Sequence, residues 1–263
     1  MSSARAWARA GVLLVLYGFL LAPLFPVVII SFSADSYLSF PPTGWSLRWY
    51  HALWDNERFL SGLQISLLVA MVSTLASLLI GVPAAYAIAR LRLPGRSFLL
   101  SLFTAPLVVP AIVLGLGILL VLVYLRLNGT LAGLLAAHIL LVSPFVVRIV
   151  LAGITTLPHD VEDAATCLGA TPLRVFRRIT LPLLMPALLG ATCLSFLISF
   201  DEVAVTLFVV GTNIATLPVA IFRYAADHTD PSIAALSVLL IVVSIALIML
   251  IERAIGLRRA IGR

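Results

Sequence analysis

Lysine is missing from this chain: all 17 basic residues are arginines. Charge of either sign is scarce, at 11% against 62% hydrophobic residues. A soluble chain carries about a quarter charged residues and about half apolar ones, so the shortage excludes a soluble domain. Only two cysteines occur, Cys167 and Cys193. The span assignment below puts one in a cytoplasmic loop and the other inside a span, and no native disulfide is expected. Recognisable chemistry is also lacking. There is no G-x-x-x-x-G-K-[ST] phosphate loop, so this chain has no nucleotide site of its own. His51, His138, His159 and His228 lie far apart, without H-E-x-x-H or paired cysteines, and no metal site is assigned. The G-x-S-G of a membrane-embedded serine protease is absent too, and no catalytic residue is assigned.

What is present is apolar sequence in long runs. Six stretches are nearly free of charge, near residues 11–32, 62–89, 98–125, 131–151, 183–208 and 233–251. Each reaches the ~18 residues that cross a ~30 Å hydrocarbon core at 1.5 Å per residue. The prediction is an all-α integral membrane protein with six transmembrane helices, residues 1–263 forming one domain in the lipid bilayer. The first run is too long for a signal-peptide core, and Pro23 and Pro26 stand where small cleavage-site residues would be; it is read as a retained helix. Arginines mark one side: Arg5 and Arg9, Arg90, Arg92 and Arg96, Arg148, Arg174, Arg177 and Arg178, and Arg253, Arg258, Arg259 and Arg263. Only Arg48, Arg58, Arg126 and Arg223 fall on the other. The positive-inside rule then puts both termini and the 152–182 loop in the cytoplasm. The positive balance reports topology, and no nucleic-acid partner is implied.

Between the first two spans, roughly residues 33–61, Pro41-Pro42-Thr43-Gly44 marks a turn. Trp45, Trp49, Tyr50 and Trp54 then recur at near-helical spacing, as in an interfacial aromatic belt. Pro83, Pro106, Pro110, Pro144 and Pro186 fall inside spans, where each frees a backbone carbonyl. They serve either as hinges or as packing kinks.

The charged island Glu162–Pro182, EDAATCLGATPLRVFRRITLP, has its own local logic. Pro158 and Asp160 open a short helix, with Asp160 able to cap it and Glu162 and Asp163 in the first turn, where the dipole favours negative charge. Val161, Ala164, Ala165 and Leu168 make one low apolar face. Gly169 stands where a left-handed cap is needed, and Thr171-Pro172 reads as the N-cap and first residue of a second helix. Leu173, Phe176 and Ile179 share one side of it, Arg174 and Arg178 another. Such a helix–turn–helix could join spans in any carrier. The order Asp163-Ala164-Ala165, Gly169, Ile179, Leu181-Pro182 resembles the E-A-A-x3-G-x9-I-x-L-P motif of ABC importer permeases, with Asp for the first Glu. The resemblance implies a type I importer permease fold whose loop 152–182 docks on an ATPase through Glu162, Asp163, Ala164, Ala165, Gly169, Ile179, Leu181 and Pro182. ATP and Mg would be handled by that ATPase, and no cofactor is expected on this chain.

Asp201 and Glu202 interrupt the fifth apolar run. Carboxylates in a membrane are costly and normally face a bundle interior or aqueous path; a cationic solute could meet them there. Alternatively they close the helix at the interface or pair with Arg223. Ser199-Phe200-Asp201-Glu202-Val203, with Phe208, Gly211, Leu217, Pro218 and Ile221, resembles the second permease of spermidine/putrescine importers. That resemblance implies a path through Ser199, Asp201 and Glu202. It also implies a bacterial inner-membrane complex with a paralogous permease, two ABC ATPase subunits and an extracytoplasmic solute-binding protein. Other small organic solutes or iron are the alternative cargo, and a six-helix secondary carrier the alternative class.

Overall fold

The computed structural model describes residues 2–91, 93–211 and 214–255; Arg92, Arg258, Arg259 and Arg263, used above for topology, lie outside the described residues. Helix accounts for every described element except one isolated bridge, Ser33 to Trp45. In chain order the α-helices are α1 (Ser2–Leu21), α2 (Leu24–Ser31), α3 (Arg48–Trp54), α4 (Glu57–Arg90), α5 (Arg96–Thr104), α6 (Ala111–Tyr124) and α7 (Leu131–Thr155). They continue as α8 (His159–Cys167), α9 (Pro172–Val175), α10 (Leu181–Leu183), α11 (Met185–Phe200), α12 (Thr206–Val209), α13 (Leu217–Asp227) and α14 (Ser232–Ile255).

Among the described residues three helices are singly long and apolar enough to cross a membrane: Glu57–Arg90, Leu131–Thr155 and Ser232–Leu250. Three bent pairs bring the number to as many as six. The bends fall where the sequence removes backbone donors. The first pair turns by 49° between Leu21 and Leu24, at Pro23. The second turns by 102° between Leu107 and Ala111, so the predicted 98–125 span is two helices at nearly a right angle. Pro110 there adopts φ −54°, ψ 135°; its ring bars residue 109 from the helical region and ends the first helix. The third turns by 69° between Leu183 and Met185. The predicted 183–208 span is shorter than expected as well, because α11 stops at Phe200 and a turn precedes α12.

Pro83 and Pro144, by contrast, lie inside unbroken helices. Pro144 leaves the Leu140 carbonyl without its usual donor, and the Ser143 hydroxyl reaches that oxygen at 3.4 Å. A neighbouring side chain thus replaces part of the lost bond, as apolar surroundings require.

Two compact units divide the chain: residues 1–60 with 221–245, and residues 61–220 with 246–263. In the first, Asp35 organises the stretch after α2. Its carboxylate accepts from the hydroxyls of Ser33, Ser39 and Thr43 and from the Thr43 N–H, while Arg48 donates to the Asp35 carbonyl. Tyr50 on α3 donates to Ser31 at 2.8 Å and packs on Phe32; Trp45 and Trp54 stay exposed. Tyr224 packs edge-on against Phe59, stacks on His228 and donates to Asp230.

The second unit is built around α7. One core cluster joins Val146, Val147, Val150 and Ile154 of α7 to Val82 and Ala85 of α4 and Ala191 of α11. Another joins Leu134 and Ala137 of α7 to Ile118 and Leu122 of α6 and to Val205 and Val209. In lipid such contacts rest on close van der Waals packing, which favours small residues at crossings. Gly153 is one of these: a Cβ there would stand 2.5 Å from that of Ala187.

Candidate functional site: the coupling loop and the break after α11

Helix α8 starts at His159, with Pro158 as its N-cap and no side-chain cap bond. Asp160 therefore sits inside the first turn rather than capping it, because Pro158 already presets the entering backbone. The helix ends as the sequence requires: Gly169 has φ +84°, and the Ala170 N–H returns to the Ala165 carbonyl at 3.0 Å. This is the six-to-one bond of a left-handed helix terminus. Thr171 and Pro172 then take the N-cap and first helical positions.

Beyond α9 the chain differs from the simple second helix expected. Residues Phe176–Thr180 form a π-helical turn, which shifts the faces and buries Val175 and Thr180 while leaving Leu173 exposed. Phe176 lands edge-on against Tyr86 of α4 at 4.9 Å. Ile179 and Leu181 are half-buried, and Pro182 is exposed.

Asp163 and Ala164 are exposed on α8, Ala165 is half-buried, and Leu168 is 90% exposed. Val161 is exposed as well, so the low apolar face is free in this chain. Glu162, expected beside Asp163 at the docking surface, points the other way. Its Oε1 accepts from Thr180 at 2.6 Å, and its Oε2 lies 2.9 Å from Arg90 Nε. That Nε–H has no aligned acceptor among the described residues, so the contact is one of charge rather than a directed hydrogen bond. Arg90 also meets the His159 ring, at 2.6 Å to Nε2, and donates to the Leu157 carbonyl. Consecutive helix residues project about 100° apart, which explains how Glu162 faces inward while Asp163 faces out.

At the other end of α7, His138 is 1% exposed. Its Nδ1 lies 2.8 Å from Ser199 Oγ on α11 and its Nε2 lies 3.1 Å from Thr206 Oγ1 on α12. A neutral imidazole with one N–H and one lone pair satisfies both hydroxyls. Ser199 also meets Ser73 of α4 at 3.0 Å and is 2% exposed, so it is occupied by packing and shows no surface to a solute. His138 thus spans the break in which Asp201 and Glu202 sit. Asp201 caps α11 and is exposed. Glu202 Oε1 accepts from the Val205 N–H at 2.7 Å, consuming part of that carboxylate locally. An apolar cavity of about 460 Å³ between α6 and α7, lined by residues such as Val113 and Leu140, has nothing to hold a polar solute.

Bent apolar helices with a short helical hairpin between two of them are the architecture of a multi-span membrane protein. The profile described as the binding-protein-dependent transport system inner membrane component matches residues 77–260, and the chain belongs to that family. Among relatives, it is 33% identical over 240 residues to the putrescine transport system permease protein PotI of Escherichia coli K12, covering 89% of this chain and 85% of that protein. It is 30% identical over 241 residues to the spermidine/putrescine permease PotC of the same strain, covering 92% and 91%. PhnV of Salmonella typhimurium, named for 2-aminoethylphosphonate transport, is 34% identical over 257 residues, covering 95% and 94%. The fold is similar to a chain of a bacterial alginate ABC transporter in complex with its periplasmic protein, with a TM-score of 0.76 and 16% identity over 98% of this chain and 96% of that one. A chain of the MetNI methionine ABC transporter gives 0.62 and 21% over 78% and 96%. The chain is accordingly the non-catalytic permease subunit of an ABC importer, a multi-pass inner-membrane protein that works with a separate ATPase and a binding protein.

Proposed function

We propose that this permease forms, with a paralogous permease as a heterodimer, the path for a small solute carrying a primary ammonium group, of which polyamines are the leading candidates. Two ATPase subunits drive the pair, and the coupling surface is formed by the exposed Asp163 and Ala164 with the half-buried Ala165, held by the Gly169 turn and by the segment through Ile179, Leu181 and Pro182. The whole chain acts as a single permease domain with both termini in the cytoplasm.

The observation that carries the cationic reading is the exposed Asp201 carboxylate at the end of α11, where the helix breaks. A carboxylate in that setting has reason to exist if it meets a cation. The likeness to PotI and PotC supports polyamines. The likeness to PhnV favours a second cargo, an aminoalkylphosphonate, which carries the same ammonium group.

The test is a complex purified with its own ATPase and binding protein, assayed for solute-stimulated ATP hydrolysis and uptake with putrescine, spermidine, 2-aminoethylphosphonate and ferric iron. Stimulation by an amine is expected. The double variant Asp201→Asn, Glu202→Gln keeps the shape, and Gln keeps an acceptor for Val205. One charge-assisted contact is worth about 1–3 kcal/mol, so uptake should drop on the order of tenfold or more with assembly intact. Undiminished amine uptake in the assembled variant would remove the pair from the path, and stimulation by iron alone would overturn the ammonium reading.

A further inference from the structure

Helix α8 has only nine residues, too few to be stable as an isolated helix. It is bounded by turns at Thr156–Pro158 and Gly169–Thr171. A push on its exposed tip reaches the membrane helices through the chain at its two ends and through the contacts at its base, and several of those contacts meet at one side chain. Arg90, the last residue of α4, places its guanidinium 2.9 Å from the Glu162 carboxylate, 2.6 Å from His159 Nε2 and 3.2 Å from the Leu157 carbonyl. Thr180 holds the second oxygen of the same carboxylate, which adds the chain leading into α11. Three segments thus meet at one point: the end of a long span, the first turn of α8 and the segment entering the next span.

The two charged side chains are also largely withdrawn from solvent. The Arg90 and Glu162 side chains are 7% and 13% exposed. A guanidinium withdrawn from water is costly unless it is paired on several sides, so an apolar residue would fill the space more cheaply while fixing nothing. The planar fork turns one terminal nitrogen to His159 and the other to the Leu157 carbonyl while its charge faces Glu162, a fixed geometry that a point charge on a flexible stem lacks.

We infer that Arg90 is the positioning residue of the coupling loop, clamping α8 to α4 and to the segment entering α11 so that movement of the loop becomes movement of the spans. Asp163 and its neighbours face the ATPase; Glu162 faces Arg90 and passes the motion inward. This inference rests on the coupling reading above, and the experiment separates the two.

The intact complex, in nanodiscs with its ATPase, would carry Cys167→Ser, Cys193→Ser and Ala204→Cys, the last placing a probe in the turn after α11. Maleimide labelling would be timed before and after trapping with ATP and vanadate. With Arg90 present, trapping should change the labelling rate. With Arg90→Ala, the same amount of nucleotide should be trapped, but the labelling change should shrink at least fivefold. A merely structural role would lower assembly and trapping together and leave the ratio alone. Glu162→Gln, which keeps the bond from Thr180 and removes the charge, should show the same loss, and it decides the matter if Arg90→Ala does not assemble. A full labelling change in the trapped variant overturns the clamp. A parent complex whose labelling ignores nucleotide sinks the coupling reading, and the clamp falls with it.

Discussion

Gly169 isolates a backbone requirement from any packing one. Its φ is +84°, and a Cβ there would meet nothing within 4 Å among the described residues. Substitution is penalised by the left-handed backbone alone, by roughly 1–2 kcal/mol for a β-branched residue. Gly169→Val should therefore reach the membrane at normal levels, since no span is touched, yet lose copurification of the ATPase or transport. Immunoblots of membranes beside pull-downs of the ATPase check this; wild-type transport in the variant would make the loop a mere connector. This turn was legible because Gly169, with Thr171-Pro172 one residue further on, leaves few backbone choices. The direction of Glu162 was not. Its sequence neighbours say only that it lies in a first turn, and its partners are Arg90 and Thr180, distant along the chain. His138 stands out in sequence only as a histidine within an apolar run, and its bridging of Ser199 and Thr206 depends on separations of 61 and 68 residues.

Among elements, the segment between α2 and α3 is held by one carboxylate. The Ser39 hydroxyl foremost, then the Thr43 hydroxyl and N–H, hold the Asp35 carboxyl well below the usual carboxylate range, with burial opposing weakly and Ser33 adding to the effect. A lowered folded value means that the stabilisation is complete above the ordinary Asp value of ~3.9 and is lost only as pH falls through the lowered one. Protease cleavage of this segment should run at one rate at neutral pH and at mildly acidic pH for the native protein, after correction for the protease itself. Asp35→Asn should be cut several-fold faster at both, because an amide offers one acceptor oxygen where the carboxylate offers two; equal rates would deny Asp35 its organising role. The helices themselves were visible as charge-free runs, since lipid demands apolar side chains whatever the tertiary arrangement. Their breaks were visible only as prolines. Pro110 and Pro144 look alike in sequence, but one sits at a 102° bend and the other inside a continuous helix, and the Ser143 hydroxyl beside the freed carbonyl is part of that difference. The π-helical turn after α9 left no periodic trace, because one inserted residue in so short a stretch is lost in the pattern.

At the scale of the molecule, the arginine asymmetry sets an orientation that a reporter can check. A fusion after Arg263 should behave as cytoplasmic and an insertion near Trp54 as external; the opposite result would invert the assignment of the coupling loop. Within the second unit, α7 acts as a beam loaded at both ends. From His138 to Ile154, just before the turn into α8, is about 24 Å along the helix. Rotation of a rigid rod by about 10° about one end sweeps the other through ~4 Å. The imidazole contacts of 2.8 and 3.1 Å have only a few tenths of an ångström to spare before they cease to be hydrogen bonds. A rocking α7 must therefore carry the turn after α11 with it or let go of one side. Either way the acidic turn cannot stay indifferent to the angle of the beam.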